Sequence, residues 1–260
     1  MTGQGDFPQR HADELGRLIE AGAASSVVTY IRAVTSPLER RQLFAFAQQA
    51  MSKRKDATRD LDTLVAVAHA AIEEGASQAA AETDPAEAAK RKDFVNAIAY
   101  NLAADLAECW PDDLTPRAKR HFEAGLAAAQ QAVRLRDELG KPAVQRATAW
   151  WACGAHQLSL GRAAEAATSF ERSLEFARRA CKGAAAVAPG GDFHVILASG
   201  CLGLATKSRL FEEACTAFDA TTVRPSGEGD AAENARVGAA QLRWFAQRLA
   251  DPARPADLRS

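Results

Sequence analysis

Residues 149–178 read AWWACGAHQLSLGRAAEAATSFERSLEFAR, and their alternation of large and small side chains constrains the fold more than any other feature. Trp150, Cys153, Gly154 and Gln157 stand at i, i+3, i+4 and i+7, which is one face of a helix. Beyond Gly161, the residues Ala166, Phe170, Ser173 and Leu174 make a matching face on a second helix. Gly154 and Ala166 are small, so two helix axes can approach closely there, while Trp150 and Phe170 fill the flanking space. Gly161 permits the positive φ that a tight helix–helix turn needs. The stretch predicts two antiparallel helices in close contact.

Helix signals continue along the whole chain. Ala dominates an apolar fraction of 47%, and Ala favours helices over strands. Helices are predicted over 8–23, 25–34, 36–55, 58–75, 85–110, 116–139, 142–159, 162–181, 192–207, 210–222 and 231–250. Ser36, Pro37 and Glu39 form a capping-box start, Gly75 reads as a stop, and 76–84 reads as a loop or a frayed helix end. Asp192 reads as a cap. The expectation is an all-α chain of about eleven helices.

The hairpin unit recurs. FEEACTAFDATT (211–222) aligns with AAEAATSFERSL (163–174), pairing Ala214 with Ala166 and Phe218 with Phe170. Upstream, Ala132, Val133 and Leu135 match Ser173, Leu174 and Phe176, and Gly125 takes the place of Ala166. GAASSVVTYIRAV (22–34) is a fainter echo with Gly22 as its turn residue. The stretch 145–180 resembles a tetratricopeptide repeat, on Trp150, Gly154, Gly161, Ala166 and Phe170; Cys153, Gln157 and Ser173 depart from that pattern. The resemblance reaches more weakly over 115–222.

That resemblance implies a right-handed α-solenoid of helix hairpins with a concave groove that binds a protein or peptide. Trp150 would be the interior member of the Trp pair. Thr148, Trp151, Ala155, Leu158 and Ser159 would line the groove, although Trp151 could instead pack against the preceding hairpin. No cationic clamp for a peptide carboxylate is expected at these positions, so apolar or amphipathic contacts would dominate. The domains read as 1–110, a helical region that is either degenerate repeats or an unrelated cap; 111–222, the repeats; 223–250, a linker and a C-terminal capping helix; and 251–260, a disordered tail. The implied function is an interaction scaffold or adaptor. The alternative is a ligand- or peptide-sensing module of a bacterial signalling system.

Charge and motif content narrow the remaining classes. With 32 basic and 33 acidic residues the net charge is -1, which argues against a nucleic-acid binder. Lys53–Arg54–Lys55, Lys90–Arg91–Lys92 and Arg117 with Lys119–Arg120 read as solvated helix faces. No secretion signal or membrane-spanning run is evident, and five widely spaced cysteines suit reduced thiols in a cytoplasm. High Ala and Arg usage suggests a bacterial source. Cys153 and His156 stand at i and i+3, but Cys153 fills an apolar repeat position, so the pair reads as core; no metal or cofactor is expected. GCLGLATKS (200–208) has the wrong glycine spacing for a phosphate loop and lies within a helix. Nothing points to an enzyme. Oligomeric state and partner identity are not legible.

Overall fold

The computed structural model describes residues 7–54, 58–181, 185–222 and 229–251. Of the expected linker at 224–230, residues 224–228 lie outside the described residues, as does the tail from 252, while Gly229 and Asp230 already begin the last helix. Among the described residues there are eleven helices and no strand, and within each unit consecutive helices pack on one another. No described helix is long and apolar enough to cross a membrane. The chain divides into two units, residues 1–106 with 114–117, and residues 107–113 with 118–260. The first boundary thus falls four residues before the expected one at 110, and the C-terminal helix belongs to the second unit.

The first unit holds α1 (Phe7–Glu20), α2 (Ala24–Arg32), α3 (Pro37–Ser52), α4 (Leu61–Ala80) and α5 (Pro85–Leu106). Leu15, Val27, Ile31, Leu43, Phe44, Leu64, Ile98 and Leu102 build its core. Ser36 Oγ accepts from Glu39 N at 3.4 Å, with Pro37 in the first turn, as the start signal predicts. Asp60 caps α4 in the same way, accepting from Thr63 N at 3.0 Å.

Helix α4 runs straight through Gly75, which is not a stop. A Cβ there would lie 2.7 Å from Phe94 and Val95 of α5, so the glycine serves a close helix crossing. Helix α5, in turn, ends at Leu106 rather than at Pro111. Its freed carbonyls are met by Arg117: Nε donates to Leu106 O at 2.9 Å and Nη2 to Asp105 O at 3.1 Å. Arg117 is therefore a buried cap, not part of a solvated basic face.

The second unit contains α6 (Lys119–Glu138), α7 (Ala143–Ser159), α8 (Ala163–Ala180), α9 (Phe193–Thr206), α10 (Leu210–Thr222) and α11 (Gly229–Ala250). Each packs on the next, and α7 also packs on α9, and α9 on α11. Alternate helices thus lie side by side. The α7–α8 hairpin follows the expected chemistry. Gly161 has φ +75°, Arg162 N donates to Gln157 O at 2.8 Å, and Gly161 N donates to Leu158 O at 3.0 Å, closing a Schellman turn. Ala166 and Phe170 are fully buried, and a Cβ on Gly154 would sit 2.6 Å from the Phe170 ring. Ser169 Oγ donates to Gln157 Oε1 at 2.6 Å, and Ser173 Oγ to Ala147 O at 2.9 Å. The residues that depart from the repeat pattern, Gln157 and Ser173, thus satisfy each buried polar atom with a partner on the facing helix or next to it.

Helix α9 starts at the expected cap, Asp192, which accepts from His194 N at 2.9 Å and Val195 N at 3.1 Å. It is buried on every side over 195–203 because α7, α8, α10 and α11 surround it. Gly200 admits Leu242 of α11, and Gly203 admits the backbone at Phe211. These glycines, which imitate a phosphate loop in sequence, are helix-crossing points.

Candidate functional site

The expected groove residues do not face an open groove. Trp151 is 6% exposed, Leu158 is 6% exposed, and Ala155 and Ser159 are almost completely buried. Thr148 is occupied locally: its Oγ1 accepts from Arg136 Nη1 of α6 at 2.8 Å and donates to Gln145 O at 3.0 Å. The Trp pair is also reversed, since Trp150, expected inside, is only half-buried. The reason is that α7 touches α6, α8 and α9 within one unit, so little of its circumference is left for solvent.

What lies against Trp151 is a piece of the same unit that is not helical, residues 107–113, AECWPDD. Trp110 meets Trp151 edge to face, with ring centroids 6.1 Å apart and planes at 64°. One residue earlier, Gln241 Nε2 of α11 donates to Cys109 Sγ at 3.2 Å. One residue earlier again, the buried Glu108 faces Arg248 of α11, with Oε2 3.9 Å from Nε. Asp113 N donates to Trp110 O at 3.1 Å and turns the segment after Pro111. Three successive side chains thus engage the row formed by α7, α9 and α11.

The α9 contribution is Cys201. Burial pushes its thiol pKa far up, and the neighbouring Cys109 adds to the rise, while the Trp151 indole opposes it. Trp151 Nε1 is buried with no hydrogen-bond partner. Cys215 also contributes to the rise at Cys201. None of these cysteines forms a disulfide.

The Cys153–His156 pair is core. Burial pushes the Cys153 thiol up to about 12, with Arg134 acting weakly against it. The His156 ring lies on Gly125 of α6, where a Cβ would come within 2.2 Å of it, and Phe122 flanks it at 6.3 Å. Among the described residues no group of three or more His, Cys, Asp and Glu could hold a metal ion. Gly125, aligned in sequence with Ala166, therefore serves the α6–α7 crossing.

Sequence reasoning missed the segment 107–113 by running α5 to Pro111. A signal was available. Asp105 and Glu108 put negative charge at a helix C-terminus, where the helix dipole disfavours it. Pro111 and Pro116 in close succession further favour extended backbone.

No family model matches the chain, and no curated protein matches it. The reading of the site rests on its geometry.

Proposed function

We propose that this chain is a protein-interaction adaptor whose second unit is built from tetratricopeptide-like hairpins and holds a short non-helical peptide on the face made by α7, α9 and α11. The observation that carries the reading is the seat of residues 107–113 on that face, through Trp110 on Trp151, Cys109 on Gln241 and Glu108 beside Arg248. An aromatic anchor, a buried small side chain and a flanking ion pair are the parts from which peptide recognition is assembled. Side-by-side packing of alternate helices supports the repeat resemblance, as does the small-to-large contact of Gly154 with Phe170. A bacterial cytoplasm is the proposed setting, supported by the Ala- and Arg-rich composition and by the free thiols.

Selection of random peptides on the full chain tests this. A peptide consensus whose binding weakens with Arg248→Glu is expected. Recovery of no consensus, or binding indifferent to Arg248, would refute the reading.

A second reading, a ligand-sensing module, is favoured by one feature of the second unit. An open cavity of about 540 Å³ lies between residues 187–189 and α10, lined by Val187, Pro189, Arg209, Glu212, Glu213, Thr216 and Ala217. Saturable thermal stabilisation by a small cationic amphiphile, lost in Glu212→Gln/Glu213→Gln, would support it over the adaptor.

A further inference from the structure

Residues 107–113 sit on the α7–α9–α11 face in the manner of a ligand. They are non-helical, and they belong to the second unit although both flanking stretches belong to the first. Their buried and exposed positions are unequal. Glu108 and Cys109 are buried, Trp110 and Pro111 are half-buried, and Asp112 is exposed. The half-buried indole leans on a fully interior one, Trp151.

The chemistry of the seat is specific at each place. Arg248, about a third exposed on its side chain, offers positive charge to the almost completely buried Glu108 carboxylate. Gln241, itself 3% exposed, directs an N–H at a small side chain. Trp151 presents its ring to a second aromatic in the edge-to-face arrangement that aromatic pairs prefer. Read from the receptor side, the face fits a turned peptide carrying Glu, then a small residue, then Trp.

We infer that residues 107–113 are a built-in ligand that keeps this face closed, and that the external partner is a non-helical, turn-forming segment with the same Glu–small–Trp pattern, which must displace them. This rests on the adaptor reading and names both its ligand chemistry and its regulation. A site filled in cis binds in trans with an affinity reduced by the fraction of time it is open.

The test uses the full chain and a fluorescent peptide of sequence AECWPDD under reducing conditions. Trp110→Ala removes the anchor of the internal segment and leaves Trp151 in place. Circular dichroism establishes that it folds. Glu108→Ala, which removes the contact with Arg248 among the interactions of that carboxylate and leaves both indoles in place, serves as a second opened chain. Either folded variant should bind the peptide saturably and at least about tenfold more tightly than the wild type, as expected if the segment fills the face about nine-tenths of the time. The peptide with Ala in place of Trp should not bind, and Arg248→Glu in the opened chain should weaken binding. Equal affinity in opened and wild-type chains, or equal binding of the Trp-less peptide, would overturn the inference. An opened chain that ignores this peptide but takes others in an Arg248-dependent way overturns the inference and leaves the adaptor reading standing. One that takes no peptide overturns both.

Discussion

Replacing Gly154 with Ala adds one methyl group at the α7–α8 crossing. That methyl would lie 2.6, 2.7 and 2.9 Å from three atoms of the Phe170 ring. Real Cβ atoms essentially never come so near, and Phe170 is fully buried, so the ring has no solvent to swing into. Overpacking of this kind costs about 1–3 kcal/mol. Alanine returns about 0.5–1 kcal/mol through its better helix propensity. The net expectation is a loss of about 0–2.5 kcal/mol. Gly16 in α1 is the control, because a Cβ there meets nothing within 4 Å. Gly16→Ala should therefore stabilise by about 0.5–1 kcal/mol. Urea unfolding followed by circular dichroism reads both, each on the transition of the unit that carries it. If Gly154→Ala raises the midpoint as Gly16→Ala does, then α7 and α8 do not meet at Gly154 and the reasoning from residue size fails.

Trp151→Ala should cost about 3–5 kcal/mol in urea unfolding, and Trp150→Ala clearly less, because only Trp151 is fully interior; the reverse order would restore the roles the sequence implies. Burial pushes the Glu74 carboxyl up, but hydrogen bonds from Gln78 and Arg40, joined by the Arg40 charge, outweigh it and leave the pKa below its ordinary 4.5. A lowered carboxyl pKa contributes stability above the ordinary value, and that stability is lost as pH falls through the lowered one. Glu74→Gln should thus destabilise the first unit near neutral pH, with a cost that shrinks as pH falls below 4.5 through the lowered pKa, and a pH-independent effect would contradict the assignment. Buried Cys153 and Cys201, both with raised thiol pKa, should resist an aromatic disulfide reagent in the native chain while the partly exposed Cys181 reacts; fast reaction of all thiols would mean an open second unit.

The helices of this chain were legible wherever the cue was local. Asp192, Ser36 and Gly161 each do what their residue type predicts, since a cap or a turn needs only its immediate neighbours. Gly75 was misread because a glycine that ends a helix and one that admits a partner look alike until Phe94 and Val95 are in place. Arg117 looked like surface charge for the same reason, as nothing near it in sequence announces the carbonyls of Asp105 and Leu106. The candidate site was half legible. Periodicity put Trp151, Ala155, Leu158 and Ser159 on α7, but what covers them is set by tertiary contacts with α9 and with residues 107–113. An amphipathic pattern records which side of a helix is apolar, not whether the chain itself fills that side.

The Trp110–Trp151 pair is where the seat of residues 107–113 can be measured most directly. A double-mutant cycle of Trp110→Ala and Trp151→Leu, read by urea unfolding of the second unit, isolates their mutual energy from the cost of each change. The geometry predicts a coupling of about 0.5–1.5 kcal/mol, as edge-to-face aromatic pairs give. Strict additivity of the two substitutions would mean that Trp110 does not rest on Trp151, and that the segment does not occupy this face.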